Sequence, residues 1–162
     1  MVEKRWTWDR HSHPKVLQAL ARTAAHLEWC GLLESAAADP LTGKVLCVCA
    51  AAAVARAVLG TCTDSSSQAA AALELLERWI DDPTGERFER VCSTIFTEGE
   101  LPPLDPHGVV WWALRTATSA IGNFEAGWAL ESACGAAEGA GFSPEQLRGV
   151  VEQELASRVI RR

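Results

Sequence analysis

Apolar side chains recur every three to four residues along most of the chain, a spacing that predicts amphipathic helices. The first such segment follows Pro14 and carries its apolar positions from Val16 to Leu32. The next segment, Lys44–Leu59, is apolar on nearly every side, which is typical of a helix at the centre of a bundle. No segment alternates apolar and polar residues at period two, so we expect no substantial sheet.

Proline and capping residues indicate where further helices begin. An Asp or Ser directly before a proline supplies an N-cap acceptor and a backbone angle that suits the first turn. This pair occurs at Asp82-Pro83 and Asp105-Pro106, and Ser143–Gln146 has the sequence of a capping box. With the alanine-rich segments, the pattern predicts helices over Gln68–Ile80, Pro83–Phe96, Val109–Ile121, Phe124–Ala140 and Ser143–Val159.

Together these segments predict an all-α fold, either a compact bundle or a solenoid-like stack of about seven helices. A chain of 162 residues has the usual size of one domain and can bury a core without disulfides or metals. The proline-rich stretch 97–108 is too short to be a linker. Residues 1–162 are therefore interpreted as one domain with an N-terminal arm over about residues 1–13. Small residues, Gly127 and Gly135 among them, are expected to let the helices approach closely.

The six cysteines are candidate metal or redox groups, and Cys47 and Cys49 form the closest pair. Residues two apart on a helix point about 200° away from each other, so these two cannot hold one ion together. Five of the six lie in predicted helices among Ala, Val and Leu, which indicates reduced core residues. His11 and His13 are interpreted as part of an exposed arm near the first helix cap. We therefore expect neither a metal nor a cofactor.

Motifs of the common catalytic sites are absent from the sequence. The chain contains no G-x-S-x-G turn, no phosphate-binding loop and no dinucleotide fingerprint. Glu74 and Glu77 lie beside Arg78 in the manner of a solvated helix face. The sequence thus favours a protein that is not an enzyme.

Negative charge is concentrated in the middle of the chain. The formal net charge is −6, which argues against a nucleic-acid partner because a phosphate backbone requires a basic face. Ten acidic residues lie from Asp64 to Asp105, a stretch that reads either as a solvated face or as a docking surface for a basic protein. The candidate partner-binding residues there are Asp81, Asp82, Glu86, Glu89, Glu98 and Glu100.

The seven tryptophans are expected to divide between the core and the surface. Trp29, Trp79 and Trp128 fall on apolar helix faces and are predicted to be core residues. Trp111 and Trp112 are adjacent and point in different directions, so one is expected in the core and the other over a neighbouring helix or groove. Trp6 and Trp8, on the basic arm, either pack back onto the bundle or anchor a partner, since Trp is enriched at interface hot spots.

Export and membrane signals are not evident. The N-terminal sequence MVEKRWTWDRHSHPK has no apolar run behind its charges. The most apolar run, Val45–Ala55, is about half the length that a helix needs to span a bilayer. We therefore expect a cytoplasmic protein that does not span a membrane.

Three segments resemble the alanine-rich, all-helical bacterial immunity proteins. They are LARTAAHLEWCGLL, AAAALELLERWIDDPTGERFERV and WWALRTATSAIGNFEAGWALESACGAA, at residues 20–33, 69–91 and 111–137. The resemblance implies a small protein that binds and neutralises a toxin by occlusion, and it assigns no individual functional residue.

Two other functions are compatible with the same sequence. One is a helical adaptor or structural subunit of a bacterial secretion or signalling assembly. The other is an enzyme or ligand carrier with an internal pocket among Trp111, Trp112 and Trp128. The leading interpretation is a protein-binding module of the immunity or inhibitor type.

Overall fold

The fold was examined in a computed structural model that describes residues 40–61, 67–81, 108–118 and 125–157. These residues form five helices and, within these ranges, no strand. The described part of the chain is therefore all-α, as predicted. The predicted helices over residues 16–32 and 83–96 and the proline-rich stretch before residue 108 lie outside the described residues. The helices are α1 (Pro40–Thr61), α2 (Ser67–Asp81), α3 (Gly108–Thr118), α4 (Glu125–Gly139) and α5 (Pro144–Ala156).

Helix α1 lies at the centre and contacts each of the other four described helices. Every residue from Val45 to Ala55 is buried. Successive helix residues are rotated by about 100°, so a buried run of this length covers the whole circumference. The prediction of a central, apolar helix is confirmed. Its bounds differ, because the helix runs from Pro40 to Thr61 and the prediction was Lys44–Leu59.

Helix α1 is longer than the apolar run Val45–Ala55 that the sequence shows. The segment Leu41–Thr61 has 21 residues and a mean hydropathy of 1.7, enough by length and composition to cross a bilayer. In the structure, 78% of this apolar window is buried by the rest of the chain. The core helix of a globular protein meets the same length and hydropathy criteria, so the finding does not by itself indicate a membrane protein.

Helices α2 and α3 both pack against α1, but they differ in how much of their own surface is buried. In α2, Leu76, Trp79 and Ile80 are buried while Glu74 and Arg78 are exposed, the amphipathic pattern expected from the sequence. Helix α3 is buried over most of its surface. Its buried Thr116 hydroxyl donates a hydrogen bond of 2.6 Å to the Ala113 carbonyl, which satisfies this polar group inside the core.

Helix α4 ends at a glycine turn, and α5 begins at the predicted capping box. Gly141 has φ of +102°, a conformation that costs a side-chain-bearing residue energy but not glycine. The Phe142 amide donates to the Ala137 carbonyl, which closes the end of α4. Ser143 Oγ accepts from the Gln146 amide at 3.2 Å, and Gln146 Oε1 accepts from the Ser143 amide at 2.8 Å. These reciprocal bonds confirm the capping-box prediction.

Small apolar side chains fill the spaces between the helices. Cys47, Cys49 and Cys134 are fully buried and form no disulfide, which confirms the core interpretation for these three. Cys30, Cys62 and Cys92 lie outside the described residues. Alanines are buried on α1, α3 and α4 alike, as close helix packing requires.

The prediction that Gly135 lets a neighbouring helix approach closely is wrong. A Cβ atom added at Gly135 would meet no heavy atom of the described residues within 4 Å, so this glycine does not pack against another described helix. Gly127, by contrast, is buried.

Candidate functional site

The outer face of α4 carries a large exposed apolar side chain, Trp128. This residue is 51% exposed, and the other large hydrophobic residue exposed in the described part of the chain is Leu41 at 39%. The opposite face of α4 is fully buried through alanine and leucine, including Ala126, Ala133 and Ala137. Trp128 is two residues beyond Ala126, a rotation of about 200°, and therefore projects away from the core.

The ring of Trp128 packs against the ring of Trp112, which lies on α3. The two ring centroids are 5.1 Å apart and the ring planes meet at 86°, an edge-to-face contact. Trp112 is only 3% exposed, so it supports the outer indole from within the core. No hydrogen-bond acceptor for the buried Trp112 Nε1 is found in the described part of the chain. The indole of Trp128 therefore lies at the surface and packs edge-to-face against a buried ring.

On α4, the exposed surface around Trp128 carries acidic residues in both directions along the helix. Glu125 and Glu131 are exposed one turn before and one turn after Trp128. The Ser132 hydroxyl donates back to the Trp128 carbonyl at 3.1 Å, so it adds little bulk. Helix α4 contains three glutamates and no Lys, Arg or His. We define the outer α4 face as Glu125, Trp128, Glu131, Ser132, Gly135 and Gly139.

The sequence prediction that Trp128 is a core residue is wrong. The positions of Glu125, Glu131 and Ser132, at three and four residues from Trp128, already indicated a polar helix face. Trp128 also lies at the surface, not on the wall of an internal pocket. The prediction for the adjacent pair is confirmed, because Trp112 is buried and Trp111 is partly buried against the core. Trp79 is confirmed as a core residue, and Trp29 lies outside the described residues.

Arg56 forms an ion-pair network that sequence reasoning missed. Its guanidinium pairs with Glu77 of α2, and its Nη2 atom lies 3.2 Å from Glu154 Oε2 of α5. The Glu154 side chain is only 11% exposed, so this carboxylate depends on Arg56 more than a surface glutamate would. The sequence predicts a solvated face for Glu77, and its side chain is 36% exposed there while it pairs with Arg56. The network joins three helices and is best understood as structural.

A second charge lies inside the bundle, at Lys44 of α1. The side chain is buried, and its Nζ is 5.4 Å from the centroid of the Trp79 ring. This distance is within the range of a cation–π contact, which stabilises a poorly solvated ammonium group. The contact gives Trp79 a structural role at the α1–α2 boundary.

Most of the candidate residues from the sequence lie outside the described residues. These are Trp6, Trp8, Asp82, Glu86, Glu89, Glu98 and Glu100, together with His11 and His13. Asp81 is the last residue of α2, and the position of its side chain is not described. Partner binding by these residues stays a prediction.

No group of three or more His, Cys, Asp or Glu side chains that could hold an ion occurs among residues 40–61, 67–81, 108–118 and 125–157. Cys47 and Cys49 lie two residues apart on α1, and both are enclosed by the core.

Comparison of the chain with models of known protein families, with curated proteins and with solved structures gives no match. The fold class of the described residues therefore rests on their own helices. The resemblance to immunity proteins stays a prediction from the sequence.

Proposed function

We propose that this chain is a non-enzymatic protein-binding module, an immunity protein that neutralises a partner toxin by covering part of its surface. The observation that carries the proposal is the exposed indole of Trp128, supported from within by Trp112. The sequence resemblance to bacterial immunity proteins supplies the finer assignment.

The energetic argument starts from the cost of exposing a large aromatic ring. An indole is among the largest apolar side chains, and burying such a side chain yields roughly 1.5–3 kcal/mol. A protein surface that retains Trp128 half-exposed forgoes part of this stabilisation, which a partner can recover on binding. Tryptophan is accordingly enriched among the residues that dominate interface energies.

The contact with Trp112 preorganises the Trp128 ring for binding a partner. Immobilising a mobile side chain on binding costs roughly 0.5–1.5 kcal/mol, and a ring already held by its neighbour avoids much of that cost. The edge-to-face geometry holds Trp128 against a residue that is itself enclosed by the core. The outer α4 face thus has the properties of a binding anchor.

The test is binding to the products of neighbouring genes, with purified full-length chain and each candidate partner. Trp128→Ala should weaken the complex roughly 30-fold, the effect of losing a hot spot of about 2 kcal/mol. Leu41→Ala, at a second exposed large hydrophobic residue of the described ranges, is the matched control and should change affinity less than about threefold. Equal affinities for wild type and Trp128→Ala would reject the outer α4 face as the binding surface.

The identity of the partner tests the finer assignment. Rescue of a host from a co-expressed toxin, lost on Trp128→Ala, would support an immunity protein. A stable complex with a non-toxic neighbour would instead favour an adaptor or structural subunit.

A further inference from the structure

We infer that the outer α4 face binds a basic amphipathic helix of its partner, with an apolar side chain on Trp128 and cationic side chains beside it. This inference rests on the proposed function and adds the chemistry of the partner. It follows from the charge, the shape and the spacing of the residues on this face.

Charge complementarity selects a basic partner. Helix α4 carries Glu125, Glu131 and Glu138 and no cationic residue. Glu131 is exposed one turn after Trp128, and Glu125, which has an interaction within this chain, is exposed one turn before it. A Lys or Arg near Glu131 also comes within reach of the exposed indole ring, where it can add a cation–π contact. An apolar residue flanked by cations at helical spacing therefore matches the arrangement.

The shape of the face favours a helix as the occupant. Beyond Ser132, the face continues through Gly135 and Gly139, which present no side chains. The space at Gly135 is open within the described part of the chain, since a Cβ atom there would meet none of its atoms within 4 Å. A partner helix can therefore approach the α4 backbone closely along this strip while the Trp128 ring fixes one end. Helix α4 has 15 residues, a length of about 22 Å, which suits a partner helix of about four turns.

The same charges disfavour other occupants. A second copy of this chain would bring an identical set of carboxylates against the first in a two-fold interface, and like charges repel there. Nucleic acid and anionic lipid surfaces are also negative, so they are repelled as well. The observations thus favour a heterologous, basic protein segment.

The experiment uses a defined probe and the full-length chain. The probe is a fluorescently labelled helical peptide of about four turns with Leu on one face and Lys on the other, and its control has Glu in place of every Lys. Binding is measured by fluorescence anisotropy at low and high salt. The wild-type chain should bind the Lys peptide, less tightly at high salt, and should bind the Glu peptide at least tenfold more weakly.

Three variants examine separate parts of the face. Trp128→Ala and Glu131→Lys should each weaken Lys-peptide binding at least about fivefold, because the first removes the anchor and the second reverses a flanking charge. Gly135→Gln should weaken it similarly by filling the open strip. Glu74→Lys, the same charge reversal at an exposed position of α2, should leave affinity within about twofold. Circular dichroism verifies that each variant folds.

Two results would overturn the inference. One is equal binding of the Lys and Glu peptides. The other is equal weakening by Glu131→Lys and Glu74→Lys, which would indicate attraction by net charge alone. The proposed function is judged separately with the natural partner. If Trp128→Ala weakens that complex and Glu131→Lys does not, the proposed function stands and the basic-helix inference fails. If neither folded variant weakens it, both fail at this face.

Discussion

Replacing Ala52 with leucine tests the close packing of α1. Ala50, Ala51, Ala52 and Ala53 are four consecutive buried residues, so every side of α1 is covered at this level. Leucine adds an isopropyl group at a position with no exposed surface. A vacant space of matching size would reward the added carbons with about 0.8 kcal/mol per methylene. A core packed at ordinary density offers no such space, so overpacking should dominate and cost about 1–3 kcal/mol.

Thermal unfolding followed by circular dichroism measures this cost. For a chain of this size, each kcal/mol lowers Tm by about 2–4 °C, so Ala52→Leu should unfold about 2–12 °C below the wild type. Ala133→Leu, at a fully buried position of α4, should behave in the same way. The matched control is Ala71→Leu on the exposed side of α2, which should change stability by less than about 0.5 kcal/mol.

Comparing the unfolding temperatures of Ala52→Leu and Ala71→Leu tests whether the helices around α1 are closely packed. If Ala52→Leu and Ala71→Leu unfold at the same temperature, the core around α1 can absorb the larger side chain, and the account of close helix packing is wrong. Urea unfolding should give the same order of stabilities, because it measures the same free energy by a different perturbation.

Three further predictions concern local features. Gly135→Ala should raise stability by up to about 1 kcal/mol in thermal unfolding, because alanine favours the helix and meets no neighbour; a loss of stability would mean that the site is closed. Arg56→Gln should cost about 1–2 kcal/mol in urea unfolding, because the mostly buried Glu154 loses this ion pair. Arg148→Gln, in a more exposed pair, should cost under about 0.5 kcal/mol. Equal costs for the two variants would contradict the structural role of the Arg56 network. Ser143→Ala should cost about 1 kcal/mol and speed amide exchange in the first turn of α5, and unchanged exchange would argue against the cap.

Features set by neighbouring residues were predictable from the sequence. The capping box at Ser143 depends on groups three residues apart, and the sequence alone locates the start of α5. The central position of α1 follows from its lack of a polar face, which leaves burial on all sides as the only stable arrangement. The bounds of α2 were also predicted to within one residue at each end.

The candidate site could be predicted only in part. The polar neighbours of Trp128 indicated its helix face, but the apolar character of the residue itself led to the wrong prediction of a core position. The support from Trp112 could not be predicted, because it depends on how α3 packs against α4. The open space at Gly135 likewise depends on what lies outside α4, and sequence spacing contains no information about it.

For the described residues, the sequence by itself determined which segments are helical and which helix is central, because hydrogen bonding, capping and side-chain periodicity act over a few residues. The tertiary structure alone decided which side chains meet across helices. Arg56 pairs with Glu77 and Glu154, and Trp112 lies edge-on to Trp128. These contacts form because each helix is rotated about its own axis so that these side chains face a neighbouring helix. Those rotations come from the summed packing of the core, so the anchor on the outer α4 face emerges only when the helices are assembled.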